Sequence, residues 1–141
     1  MKAVLLDSDI ILDAMSDRIP FSDDAIRILN LCERREIHGL TTPVILSNLY
    51  YILRRLGMKH THILDHFRNL LTNILFDIVE IDKKSILEAI DSDFSDFEDA
   101  IQNYSAEQHP EISIIITRNT KDYKESNIAV MSPKEFLNSL M

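Results

Sequence analysis

The acidic residues of this chain fall in three clusters, and their spacing suggests a place for a cation. Asp7 follows the apolar run Ala3–Leu6, with Asp9 two residues later and Asp13 further on. Five acids occupy the nine residues from Asp91 to Asp99, namely Asp91, Asp93, Asp96, Glu98 and Asp99. Asp122 follows a second apolar run, Ile112–Ile116, at the end of Thr117-Arg118-Asn119-Thr120-Lys121-Asp122. Two like charges about 4 Å apart repel by about 4 kcal/mol at an effective dielectric near 20. Carboxylates brought together at one edge therefore call for a compensating cation, and oxygen-only ligands suit Mg²⁺ or Mn²⁺ rather than zinc. Each cluster alone has a plainer reading. Asp7-Ser8-Asp9 can cap a following helix, and the Asp91–Asp99 run can complement a helix dipole. The chemical reading rests on the clusters meeting in space.

The pattern between the clusters says which elements must bring them together. Ala3–Leu6 and Ile112–Ile116 read as strands buried on both faces, with weaker strands at His38–Thr41, Leu75–Ile81 and Ile128–Met131. Helical patterns lie at Asp23–Glu36 after a Ser22 N-cap, from Thr42-Pro43 to Gly57, and at Thr61–Thr72, Lys83–Asp91, Ser95–Glu107 and Pro133–Leu140. In the Asp23–Glu36 helix Ile26, Leu29 and Cys32, with Ala25 and Ile28, form the apolar stripe. Ser132 and Glu135 make a capping box around Pro133. In the Ser95 helix, Asp96, Asp99 and Asn103 share one stripe beside an apolar stripe of Phe97, Ala100, Ile101 and Tyr104 that should face the sheet. Strands alternating with helices predict an α/β fold, a three-layer α/β/α sandwich with a mostly parallel central sheet. Such sheets bind ligands at the carboxyl ends of their strands, where two of the acidic clusters sit.

The chain reads as one domain over residues 1–141, of ordinary globular composition at 45% hydrophobic and 27% charged. Its two glycines, Gly39 and Gly57, cannot build a glycine-rich phosphate loop. The single cysteine, Cys32, reads as a buried apolar residue in a reducing compartment. No apolar run reaches the roughly 18 residues a membrane span needs, so no membrane association and a cytoplasmic location are expected. The net charge of −8 argues against a protein that merely coats nucleic acid. It is unevenly spread: Arg54, Arg55, Lys59 and Arg68 against Asp65 give residues 54–69 a net +3, leaving −11 for the rest. These four bases are the candidate RNA-binding patch, and an ordinary solvated surface is the competing reading. His62 and His66 share a helix face but lack a third ligand for a transition metal.

The sequence resembles the PIN domains over essentially its whole length. Leu6-Asp7-Ser8-Asp9-Ile10 looks like the opening Asp motif of that family. Phe97-Glu98-Asp99-Ala100-Ile101 and Ile115-Ile116-Thr117-Arg118-Asn119-Thr120-Lys121-Asp122-Tyr123 look like its third and fourth motifs, and Ser132-Pro133-Lys134-Glu135-Phe136-Leu137 like its end. The resemblance implies a small parallel α/β/α fold and a Mg²⁺- or Mn²⁺-dependent ribonuclease. Many small bacterial members are toxins held inactive by a bound antitoxin, often as dimers. Carried across, Asp7, Asp96, Asp99 and Asp122 are the catalytic acids, with Asp7 and Asp99 as metal ligands and Asp96 beside them. Asn119 stands at the usual acidic position of the fourth motif, Asp122 is a nearby carboxylate and metal ligand, and Thr117 and Asp9 line the site. The second acid departs from the pattern. Thr42-Pro43-Val44-Ile45-Leu46-Ser47 leads to Asn48 where a Glu is usual, and an amide can offer a carbonyl oxygen but takes no proton.

Two other readings compete. With Asn48 in the site, the chain could be a catalytically weakened member that binds RNA or a partner. Asp7-Ser8-Asp9 also fits the nucleophile motif of a haloacid-dehalogenase-type phosphatase, although no lysine is convincingly placed for one.

Overall fold

A computed structural model describes residues 1–74 and 77–141. Five strands, β1 (Lys2–Leu6), β2 (Ile37–Thr41), β3 (Asp77–Ile78), β4 (Ile112–Ile116) and β5 (Ala129–Met131), form one sheet in the order β3-β2-β1-β4-β5. Every pairing is parallel, so the sheet is wholly rather than mostly parallel. Most of β1 and β4 is apolar because both faces of these central strands are covered. Val4, Leu5, Leu6, Ile115 and Ile116 are all fully buried. The helices are α1 (Ser8–Met15), α2 (Ser22–Glu33), α3 (Pro43–Arg55), α4 (His60–Asn69), α5 (Lys83–Ile90), α6 (Phe97–Glu107) and α7 (Pro133–Ser139). Helix α1 packs on α2 and α3, α2 packs on α7 and α3 on α4, while α5 and α6 pair separately.

Local chemistry sets most helix starts. Thr42 accepts a hydrogen bond from the Ile45 N–H at 3.0 Å with Pro43 at the first position, and Gly57 takes φ 93° just past the end of α3. Ser132 and Glu135 form the expected capping box. Ser22, expected as the cap of α2, is instead a buried residue inside it, and Phe21 occupies the cap position with no side-chain bond. The α2 stripe is correspondingly rotated: Ala25, Ile28, Leu29 and Cys32 are buried, but Ile26 faces outward. Of the expected strand at Leu75–Ile81, Asp77–Ile78 is strand and residues 79–81 are not, although the Val79 N–H still bonds the Thr41 carbonyl at 2.7 Å. Leu75 and Phe76 lie outside the described residues. Cys32 is fully buried and unpaired, and burial pushes its thiol up to about 12. No helix among the described residues is long and apolar enough to cross a membrane.

Candidate active site

The chain reverses direction across the sheet between β1 and β4, because β2 and β3 are added on one side of β1 while β4 and β5 lie on the other. A parallel sheet opens a crevice at the carboxyl ends of its strands where such a switch occurs. Leu6 and Ile116 are in register there, so the next residues, Asp7 and Thr117, emerge side by side. The Asp7 N–H bonds the Ile116 carbonyl at 3.0 Å, and the Thr117 hydroxyl donates to Asp7 Oδ2 at 2.9 Å. The other Asp7 oxygen accepts the Ser8 N–H at 2.7 Å, making Asp7 the N-cap of α1. The capping reading and the site reading of Asp7 are thus both realised by one side chain.

The third cluster arrives on α6. Asp96 is its N-cap, accepting the Asp99 N–H at 2.9 Å. That bond fixes the first turn and directs Asp99 toward β1. Between Asp99 and Asp7 stands Tyr123, whose hydroxyl lies 3.3 Å from Asp7 Oδ2, 3.3 Å from Asp99 Oδ1 and 3.1 Å from Gln102 Oε1. One phenolic proton faces three acceptors, so it satisfies only one at a time. The Tyr123 ring is buried, set by a 3-10 turn over Thr120–Tyr123 and held edge-on by Phe94 at 6.0 Å.

This crowding shows in the acid strengths. Burial, with repulsion from Asp96 added, raises Asp7 above the ordinary carboxyl range, and the bonds from Thr117, Ser8 and Tyr123 only partly offset it. Burial first, then repulsion from Asp7, Asp96 and Asp122, pushes Asp99 up to about 7. Asp9 rises to about 6 through burial and the Asp7 charge. The Tyr123 phenol is raised through burial and its two acidic neighbours, so it stays protonated.

A second polar wall adjoins the first. Asp9 Oδ2 accepts the Arg118 N–H at 2.9 Å, while its Oδ1 is buried with no hydrogen-bond partner among the described residues. The Arg118 guanidinium grips the fully buried Asp13 with two bonds, at 2.6 and 3.2 Å, and lies 4.0 Å over the Phe21 ring. Asp9 and Asp13 stand one turn apart on α1, so a single loop residue ties down both.

The remaining predicted residues are placed less centrally. Asp122 and Asn119 are exposed on the turn after β4; the Asn119 N–H bonds Thr117 Oγ1 at 3.1 Å, and Asp122 adds to the field on Asp99. Asn48 is half-buried on α3 and makes no hydrogen bond to these acids among the described residues. On α6 the expected stripes are corrected: Phe97 is 53% exposed, whereas Asn103 is wholly buried and donates to Glu107 at 2.7 Å. Arg54, Arg55, Lys59 and Arg68 are all exposed. Helix α3 starts at the carboxyl edge, and a rise of 1.5 Å per residue carries Arg54 and Arg55 roughly 18 Å from its start. His62 and His66 are solvent-facing.

Sequence reasoning missed Tyr123 and Gln102 as site members and Arg118–Asp13 as the clamp beside them. The one-turn spacing of Asp9 and Asp13 was a usable signal for the clamp. Nothing local announced that the Tyr123 hydroxyl turns inward.

The donor set is oxygen only. Among the described residues no three His, Cys, Asp or Glu side chains form a ready-made metal cage. Two carboxylates held around one hydroxyl match the way Mg²⁺ is commonly bound, by one or two carboxylates completed by water and substrate phosphate. The crowding that raises Asp7 and Asp99 is what such a cation offsets, so the residues fit the ion by type. The phosphatase alternative loses its ground, since among the described residues Asp7 is bonded to Ser8, Thr117 and Tyr123 and to no lysine.

Comparison with known proteins agrees with this geometry. Ribonuclease VapC1 of Aquifex aeolicus is 29% identical over 137 residues, spanning 94% of this chain and 92% of that protein. The fold superposes on the structure of VapBC2 from Rickettsia felis bound to a DNA fragment from their promoter, with a TM-score of 0.66 and 13% identity over 92% of this chain and 98% of that one. It also superposes on Mycobacterium tuberculosis VapC20, a Sarcin-Ricin loop cleaving toxin, with a TM-score of 0.61 and 12% identity over 79% and 86% of the two chains. The PIN domain family model matches residues 3–121, a span that takes in the Asp7, Asp99 and Thr117 positions alike. With the switch-point acids and that match in agreement, the chain belongs to the PIN domain family.

Proposed function

We propose that this chain is a divalent-metal-dependent ribonuclease that hydrolyses RNA phosphodiester bonds, and that it acts as the toxin of a toxin–antitoxin pair. The observation that carries this reading is the Asp7–Tyr123–Asp99 arrangement at the β1/β4 switch point. The likeness to a curated ribonuclease across 94% of the chain supports it. Asp7 and Asp99 would hold Mg²⁺ or Mn²⁺, with the exposed Asp122 as a further carboxylate and the Asn48 carbonyl as a neutral donor. Such a cation, when bound, lowers the pKa of a water and offsets charge on the phosphorus oxygens. The protein's own groups do the positioning. Thr117 and Tyr123 fix Asp7 Oδ2, Asp96 fixes the turn that presents Asp99, and Asp99, poised near neutrality, can hold or release a proton at its carboxylate. Asp9 supports the wall of the site through the Arg118 backbone.

The partners of this reading are an RNA substrate, an antitoxin chain and a second copy of the toxin. Arg54 and Arg55 stand roughly 18 Å from the start of α3, and with the exposed Lys59 and Arg68 their part is steering the polymer by long-range attraction. On a mixed RNA pool, the wild type should cut with Mn²⁺ and stop cutting when the metal is chelated, while Asp7→Ala should leave the RNA intact. Equal cutting by Asp7→Ala would show that the centre lies elsewhere.

Asn48 is the observation that favours a second reading, a PIN-domain protein that binds RNA or a partner without cutting. Calorimetry separates the two. Heat of Mn²⁺ binding at millimolar metal supports the nuclease, and its absence supports the binding protein. Asn48→Glu should tighten Mn²⁺ binding if the second helical turn of α3 faces the metal.

A further inference from the structure

Arg118 walls two spaces at once. Its backbone closes the acidic centre through Asp9, and its side chain borders a separate cleft of about 450 Å³ between the start of α2 and the start of α7. Pro20, Phe21, Pro133 and Lys134 line that cleft with it. Phe21 is 40% exposed even though Arg118 lies over its ring, so an aromatic side chain is left partly in solvent beside the acidic edge. The bidentate Asp13 contact holds the guanidinium plane still, which makes the Arg118–Phe21 pair a rigid platform rather than a mobile side chain. Asp13 balances the Arg118 charge, and Asp24 at the rim is engaged by Arg27 at 3.8 Å. Lys134 is exposed and has no ion pair among the described residues, leaving a net positive rim in a chain whose charge is −8.

A flat apolar and cationic platform, two proline walls and a lone ammonium at the rim have the chemistry of a nucleotide: a base to stack and a phosphate to pair. We infer that the Phe21–Arg118 cleft is a base-binding subsite, which stacks one unpaired nucleobase of single-stranded RNA while Lys134 contacts an adjacent phosphate. This rests on the nuclease reading for its purpose, since one residue then links the base stack to the acidic centre through a single peptide. The consequence is selectivity for single-stranded or looped RNA, because a base paired in a duplex cannot reach the Phe21 face.

The test uses the full chain and a short single-stranded RNA carrying a fluorescent purine analogue whose emission is quenched by stacking, with divalent metal chelated so that the RNA stays whole. Wild type should quench the purine. Phe21→Leu, which keeps apolar bulk but removes the ring, should weaken binding about tenfold and abolish the quench, the loss expected for one base–aromatic stack. Phe21→Trp should retain both, which guards against a mere folding defect, as does an unchanged circular dichroism melt. Lys134→Gln should weaken binding and flatten its salt dependence without removing the quench. Equal affinity and quench in wild type and Phe21→Leu would overturn the subsite, as would a Phe21→Trp variant that behaves like Phe21→Leu. A parallel cleavage assay with Mn²⁺ keeps the two claims apart. Quenching that depends on Phe21 in a protein that cuts no RNA leaves the subsite standing and removes the nuclease. Cleavage with a KM unmoved by Phe21→Leu does the reverse.

Discussion

Tyr123 decides how close the two central acids stand. Its hydroxyl faces Asp7 Oδ2 and Asp99 Oδ1 at 3.3 Å each and has one proton to give. Tyr123→Phe removes that proton and leaves buried Asp7 with one bond fewer. We expect a loss of about 1–3 kcal/mol at neutral pH, seen as an earlier denaturant midpoint with an unchanged slope. An unshifted midpoint would mean the hydroxyl is a bystander. The pH dependence follows from Asp99, which burial and its acidic neighbours raise from the ordinary carboxyl value of about 3.8 to about 7. Between those values the folded state holds a proton that the unfolded chain has released, so stability falls as pH rises through that window. Asp9, raised to about 6, acts in the same sense. In chelator the melting temperature should therefore climb as pH drops from 8 toward 5, and Asp99→Asn should flatten the climb. Sequence could mark Asp7 because it follows an apolar run, and Asp99 because it closes the acidic cluster at the start of a helix. It could not show Tyr123 as a bridge, since an aromatic in that place serves equally as core, and only the three-dimensional turn decides where its hydroxyl goes.

At the scale of elements, the site is a product of register. Leu6 opposite Ile116 sets Asp7 beside Thr117, and the 3-10 turn then swings Tyr123 under α6. The strands β1 and β4 were legible because sheets covered on both faces leave unbroken apolar runs, as were the ends of α3 and α7, which carry Thr42-Pro43, Gly57 and the Ser132–Glu135 box. The phase of α2 and α6 was not, because Ile26 and Phe97 are apolar yet exposed and Asn103 is polar yet buried. Periodicity alone assigns such residues to the wrong face. The clamp between the loop after β4 and α1 gives a prediction of its own. Arg118→Met strands the Asp13 carboxylate, which is fully buried and keeps among the described residues only Arg18, at 3.9 Å, as an ionic partner. A destabilisation of about 3 kcal/mol is expected, toward the lower end for a broken buried pair because Arg118 is partly solvated. A loss below the error of the denaturation curve would show that the clamp contributes nothing to folding.

Across the whole molecule the charge of −8 is arranged rather than merely excessive. Acids gather at the β1/β4 carboxyl edge, and the net +3 of residues 54–69 lies on α3 and α4, with Arg54 and Arg55 at the far end of α3. Composition could state the imbalance but not this separation, which depends on the direction in which α3 runs. Neutralising Arg54, Arg55, Lys59 and Arg68 to Gln should raise KM for RNA at low salt and leave kcat unchanged. It should also shallow the salt dependence by about 0.7 for each charge that meets a phosphate. An altered kcat would instead place these bases at the chemistry. The central claim is that Asp7 and Asp99 together form a metal-dependent RNA-cutting centre, and Asp99→Asn tests it most directly. This change replaces the carboxyl by a near-isosteric amide that cannot ionise, so the fold should persist while the anionic ligand is lost. With Mn²⁺ and a mixed RNA pool, the wild type should cut and a fully folded Asp99→Asn protein should not; cutting by Asp99→Asn at the wild-type rate would contradict the assignment.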